Sequence, residues 1–125
     1  MTTVLVVDDE ALIAMALEAA LQDAGYQVTT AANGRQGLER LAEAQVDIVL
    51  LDMMMPVMNG PAMLRAMAAD LELSGIPVII LSSLPEATVR AQADGVAAIL
   101  RKPYTAGEVL RAIGQVLGEA DQPGI

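Results

Sequence analysis

The chain has 125 residues, 54% of them hydrophobic but only 2% aromatic, with no Phe, Trp, Cys or His and a formal net charge of −9. That length supports one domain with one core. The charge argues against a phosphate-backbone partner, and no direct contact with nucleic acid is expected. Without Cys there is neither a disulfide nor a thiolate metal site, and without His there is no imidazole acid–base chemistry.

Residues 4–7 (VLVV) are a continuous Leu and β-branched run, the pattern of a strand buried on both faces. Ile13, Leu17, Ala20, Leu21 and Ala24 then recur at helical spacing, and Gly25 is suited to close that helix in a left-handed conformation. Residues 27–31 alternate more and contain Val28, Thr29 and Thr30, which suggests a less buried strand at a sheet edge. Asn33 can cap a second helix with the apolar face Leu38, Leu41 and Ala42.

A second fully apolar strand, residues 47–51, runs straight into Asp52. Pro56 and the pair Asn59-Gly60 mark residues 53–60 as a loop. A third helix is expected over 61–73, with Met63, Leu64, Met67, Ala68 and Leu71 on one stripe and Ser74-Gly75 as its stop. Residues 77–81 form the fourth strand, and Pro85 opens a short helix that ends near Gly95. Residues 97–101 form the fifth strand, and Thr105 with Glu108 has capping-box spacing for a last helix carrying Val109, Leu110, Ile113, Val116 and Leu117. The expected domain is 1–120, followed by a polar tail, 121–125, that frays.

Strand and helix thus alternate five times, which predicts an α/β fold with a doubly wound parallel sheet. No basic segment followed by an apolar stretch opens the chain, and no uncharged apolar run approaches the ~20 residues a membrane span needs. A soluble, cytoplasmic protein without membrane association is therefore expected.

In such a sheet the polar residues that follow the strands converge at one edge, where open α/β folds place their sites. Here they are Asp8 and Asp9, Asp52, Ser82 and Lys102. Carboxylates held so close repel one another, and a hard divalent cation with oxygen ligands keeps them ionised. The set reads as a Mg²⁺ site beside a phosphorylatable aspartate. Asp52 is the acceptor, Asp8 and Asp9 supply the field that holds the metal, and the backbone carbonyl of Met54 can be a further ligand. Lys102 and Ser82 would contact oxygens of the phosphoryl group.

Simpler readings exist for each residue alone. Asp9 could cap the first helix, Asp52 and Ser82 could be turn formers, and most lysines are solvated. Lys102, however, is the one lysine of the chain and stands before a proline. The joint pattern carries the argument, because a cluster of like charges costs stability unless a ligand offsets it.

The motifs VLVVDDE, DIVLLDMMMPVMNG, PVIILSS and LRKPY, in this order and spacing, resemble the receiver domain of bacterial two-component response regulators over residues 3–118. The resemblance implies a flavodoxin-like sheet of order 2-1-3-4-5 flanked by five helices. It also implies transfer of a phosphoryl group to Asp52 from a phosphohistidine on a histidine kinase or histidine phosphotransfer protein. Asp9 and Asp52 would bind Mg²⁺ directly and Asp8 through water, and Ser82 and Lys102 would read the phosphorylated state. The Lys102-Pro103 bond would be cis. A downstream protein would meet the face made by the fourth helix, fifth strand and fifth helix, where Tyr104 is a candidate contact. Such a chain is a phosphoryl acceptor that assists its own phosphorylation and dephosphorylation, not a turnover enzyme.

Three positions depart from the family pattern. Ile99 stands where an aromatic switch residue is usual, and Met54 and Leu84 stand where polar groups are frequent. The last two are expected to shield an acyl phosphate from water. The alternatives are a phosphorylation-independent interaction module of the same fold, a flavin binder, and an aspartyl phosphatase. Asp8 and Asp9 would repel a phosphate-bearing cofactor, and the phosphatases need an acid where Met54 stands. The methionines at 53, 54, 55, 58, 63 and 67 are read as core filling on the helix and as surface lining in the loop, with a soft-metal site disfavoured.

Overall fold

A computed structural model describes residues 1–118; the end of the expected domain at 120 and the tail 121–125 lie outside the described residues. Five strands, β1 (Thr3–Val7), β2 (Gln27–Ala31), β3 (Ile48–Asp52), β4 (Val78–Ser82) and β5 (Ala98–Arg101), form one parallel sheet of order β2-β1-β3-β4-β5. Five helices connect them: α1 (Ala11–Asp23), α2 (Gly34–Glu43), α3 (Gly60–Ala68), α4 (Glu86–Gln92) and α5 (Ala106–Leu117). The expected doubly wound sheet and its strand order are what the chain adopts. Among the described residues no helix is long and apolar enough to cross a membrane.

The twofold alternation of the strands divides the core into two layers. Leu5, Val7, Val49, Leu51, Val78 and Ile80 pack with Leu41, Met63, Met67 and Val89 of α2, α3 and α4. Val4, Val6, Ile48, Leu50, Ile79 and Leu81 pack on the other face with Leu17 and Leu21 of α1 and Val109 and Ile113 of α5. This is why the central strands read as unbroken apolar runs: both of their faces are covered.

The helix boundaries follow the capping chemistry. The Asn33 and Asn59 side chains accept from the amides of Gln36 and Ala62, each at 2.9 Å, and start α2 and α3. Thr105 and Glu108 form the complete capping box of α5. Gly25 takes φ +97 just after α1, as its position predicts.

The third helix differs from expectation. It ends at Ala68, and Leu71, placed by its spacing on the apolar stripe, is 96% exposed. Asp70 causes the break: its carboxylate accepts from the Glu72 amide at 2.8 Å, and its carbonyl accepts from the amides of Leu73 and Ser74. That is side-chain turn chemistry outcompeting a helix. The fourth helix likewise stops at Gln92, before the expected Gly95.

The loop between β3 and α3 is tightly fixed. Gly34 donates to the Met58 carbonyl at 2.8 Å, and a Cβ at Gly34 or Gly37 would come within 2.8 Å of the Met58 or Met63 side chain. Met58 in turn donates to the Pro56 carbonyl at 2.7 Å, which bends the chain sharply at Val57. Val57 has φ +68, a region that a β-branched residue occupies only under strain. Its side chain is 75% exposed and so contributes little packing in return. Such strain costs about 1–3 kcal/mol, against roughly 0.5–1 kcal/mol for the extra freedom of glycine. Val57→Gly is therefore expected to leave stability unchanged or raise it by up to about 2 kcal/mol in urea unfolding, and a clear loss would contradict the strain.

Candidate functional site

Register brings the polar residues together. Val7 is level with Leu51, so Asp8 comes level with Asp52; Asp52 pairs with Leu81 and Ser82 with Arg101. Asp52 and Ser82 are the last residues of their strands, one position earlier than a turn reading places them. Asp8, Asp52 and Lys102 share the alternation of Val6, Leu50 and Leu100, which directs them to the side covered by α1 and α5. The Lys102-Pro103 peptide is cis, and the Lys102 amide donates to the Ser82 carbonyl at 2.8 Å.

One oxygen from each of Asp8, Asp9 and Asp52 lies within 4.8 Å of the others. Lys102 Nζ is 3.6 Å from Asp52 Oδ1, 3.9 Å from Glu10 Oε1 and 4.0 Å from Asp8 Oδ2. Asp8, Asp52 and Ser82 are buried, while Asp9 is exposed at the rim. Beside them opens a cleft of about 240 Å³ lined by Asp9, Glu10, Asp52, Met53, Met54, Ser82, Ser83 and Lys102. All the residues expected at the site are therefore adjacent.

The free oxygens define what the pocket can bind. Asp52 Oδ1 accepts from the Met53 amide at 2.8 Å, Asp8 Oδ1 from the Glu10 amide at 2.9 Å, and Ser82 Oγ from the Leu84 amide at 3.0 Å. These bonds orient the three side chains and leave the Ser82 hydroxyl hydrogen available as a donor. Asp8 Oδ2 is buried without a hydrogen-bond partner, which is a sizeable desolvation cost for a carboxylate. An orphaned oxygen beside two further carboxylates fits a hard divalent cation with its waters. Asp9 is not a helix cap: the position before α1 is held by Glu10, without a side-chain bond.

One residue beside the site, Glu10, escaped the sequence reading. Glu10 follows the acid pair and shares the lysine, which the third acidic letter of DDE could have suggested. Tyr104, the candidate contact next to the Lys-Pro step, is partly buried against the α1 and α5 layer with its hydroxyl buried. Ile99 is partly buried against the opposite layer, as is Leu84. Of the loop methionines, Met53 is buried, Met55 and Met58 are partly buried against the core, and Met54 is 66% exposed. Met53, Met54 and Met55 line a surface cleft that also includes Asp9, in keeping with the expected loop lining.

A cramped charge balance follows from this geometry. Burial raises the Asp52 carboxyl above its ordinary value, with Lys102 and the Met53 amide opposing and Asp9 adding to the rise. Burial likewise raises Asp8, opposed by the Glu10 amide and assisted by Asp52.

The chain belongs to the response regulator receiver domain family, whose model matches residues 4–114. It is thus a module of two-component signal transduction. It is 35% identical to Protein PilH of Pseudomonas aeruginosa, covering 94% of this chain and 98% of PilH. Longer relatives also match, and the chain spans 53% of their length. Among solved structures, the chemotaxis protein CheY4 of Vibrio cholerae is 34% identical with a TM-score of 0.84, covering 93% of this chain and 98% of that one. The receiver domain of the sensor histidine kinase PA1611 from Pseudomonas aeruginosa, solved with a magnesium ion coordinated in its active-site cleft, is 27% identical with a TM-score of 0.86 and covers 94% and 98%.

The raised carboxyls set a pH dependence. A group bound more tightly by protons in the fold stabilises it fully below its unfolded value, and that contribution is lost as pH rises through the folded value. In metal-free buffer Asp52→Asn should therefore be more stable than the parent at pH 7, by on the order of 1 kcal/mol, with the gap closing towards pH 4. Urea unfolding across that range measures it, and equal stabilities at pH 7 would contradict a cost from burying this charge.

Proposed function

We propose that this receiver takes a phosphoryl group on Asp52 in a Mg²⁺-dependent reaction and thereby switches its partners. The observation that carries this reading is the convergence of Asp8, Asp9 and Asp52 within 4.8 Å, with Lys102 only 3.6 Å from Asp52. Asp9, Asp52 and the Met54 carbonyl would hold the metal directly, and Asp8 through water. When bound, Mg²⁺ neutralises developing charge on the oxygens of the moving group.

The chain's own residues do the rest. The Met53 amide fixes one Asp52 oxygen, leaving the other to attack phosphorus in line. An oxygen–phosphorus bond forms, the phosphorus–nitrogen bond of a phosphohistidine breaks, and the departing imidazole nitrogen takes a proton. The donor sits on a histidine kinase or a histidine phosphotransfer protein, since this chain has no histidine. Lys102 then shifts from carboxylates to phosphoryl oxygen, and the Ser82 hydroxyl donates to another.

Movement of these two residues, at the ends of β4 and β5, biases the surface of α4, β5 and α5 towards a downstream protein. The protein acts as a phosphoryl acceptor in the cytoplasm, not as a turnover enzyme. A small phosphodonor or beryllofluoride with Mg²⁺ should modify Asp52, as intact-protein mass or nuclear magnetic resonance reads, and Asp52→Asn or omission of Mg²⁺ should abolish it. No change in the parent protein would favour a phosphorylation-independent interaction module, a reading to which the aliphatic Ile99 lends support.

Met54 lines the cleft, and the Leu84 amide donates to Ser82 Oγ while its side chain is partly buried behind; the two would put apolar bulk near the path of a hydrolytic water, Met54 the more directly. Met54→Asn and Leu84→Glu are each expected to shorten the lifetime of the phosphorylated protein several-fold. Unchanged decay in both would leave the shielding without support.

A further inference from the structure

Lys102 stands between three carboxylates and is bonded to none of them. Its Nζ lies 3.6 Å from Asp52 Oδ1, 3.9 Å from Glu10 Oε1 and 4.0 Å from Asp8 Oδ2, all longer than a charge-assisted hydrogen bond. Asp8 Oδ2 is buried and has no hydrogen-bond partner. An ammonium so near an orphaned carboxylate oxygen is expected to close on it, because the bond would offset a large desolvation cost. A pull from another side must oppose that closure.

Glu10 is the acid on that other side. Asp8 and Asp52 are buried, whereas the Glu10 side chain is 60% exposed and lines the same cleft as Asp52 and Lys102. It occupies the N-cap position of α1 but makes no bond to the amides of that helix, the usual task of a side chain there. Its backbone is tied to the site instead, the Glu10 amide donating to Asp8 Oδ1 at 2.9 Å. A pair this exposed adds little to stability, so the contact matters for where it leaves the ammonium.

We propose that Glu10 is a positioning residue that acts through Lys102: its carboxylate draws the ammonium towards the rim and off Asp8 and Asp52, which keeps the inner oxygens open to the cation. The inference deepens the metal-dependent acceptor reading above and rests on it. Without Glu10 the ammonium would settle between Asp8 and Asp52 and compete with Mg²⁺ for the same oxygens. With it, Lys102 stays uncommitted and free to meet the phosphoryl group.

The test uses the full chain and Mg²⁺ alone. Calorimetric titration should give a dissociation constant roughly two- to fivefold higher for Glu10→Gln than for the parent, the range expected of a partly exposed charge pair. In a Lys102→Gln background the same substitution should leave the affinity unchanged, since the effect passes through the ammonium. Because Lys102 is the one lysine of the chain, nitrogen-15 labelling of lysine gives a single side-chain ammonium signal in nuclear magnetic resonance. In metal-free Glu10→Gln its protons should exchange with water several-fold more slowly than in the parent, as the ammonium closes on the buried oxygens. Equal or faster exchange with unaltered affinity would make the contact an ordinary surface pair and overturn the proposal. A loss of affinity of the same size in both backgrounds would make Glu10 a direct part of the metal's field and overturn it too. Either result leaves the acceptor reading standing so long as the parent binds Mg²⁺; failure of the parent to bind would remove both.

Discussion

Confinement of like charges at one sheet edge is the constraint on which this molecule turns. Parallel strands all end on the same side, so whatever polar residues follow them must share a small space. Here the carboxylates of Asp8, Glu10 and Asp52 lie within 4.0 Å of the Lys102 ammonium, Asp9 stands beside Asp8 and Asp52, and two of the four are buried. Water cannot screen such a group as it screens a surface cluster, and one lysine cannot neutralise it. The sheet thus holds together a charge arrangement that protonation, a bound cation or a changed covalent state would relax.

The surroundings are built to resist that repulsion. Asp52 ends a strand buried on both faces, and the Gly60 amide donates to the Met53 carbonyl at 3.0 Å. A Cβ at Gly60 would lie 2.6 Å from the Asp52 carbonyl, so α3 starts in close approach to the Asp52 main chain. The strained bend at Val57 and the bond from Gly34 to Met58 complete a short, braced loop. The Asp52 carboxylate is held at one oxygen by the Met53 amide and borders the cleft. Preorganisation of this kind is what phosphoryl transfer demands of a protein.

Much of this was legible in the sequence because the signals were local or periodic. Unbroken runs revealed the central strands, and Asn33, Thr105 and Glu108 marked helix starts through bonds spanning three residues, whereas Asn59, legible only as a turn residue, caps α3 in the same way. The converging aspartates, serine and lysine could be read because parallel topology alone brings strand ends together. The errors arose where two local tendencies competed. Leu71 continued the apolar stripe of α3, yet the Asp70 carboxylate captured the backbone first. The direction of Tyr104 depends on how the chain leaves β5 and which layer receives the ring, a tertiary choice with no periodic signature. The sharing of Lys102 with Glu10 is equally a matter of side-chain reach.

The aliphatic core has a consequence for how this chain can change over time. Gly37 is seated so closely that an added methyl group would meet the Met63 thioether at 2.8 Å, and Gly34 meets Met58 in the same way. Neither position can drift by itself: a larger residue on α2 requires a shorter one on the facing loop or helix, so the two changes are energetically coupled. Substitution histories at 34 with 58 and at 37 with 63 should accordingly move in pairs.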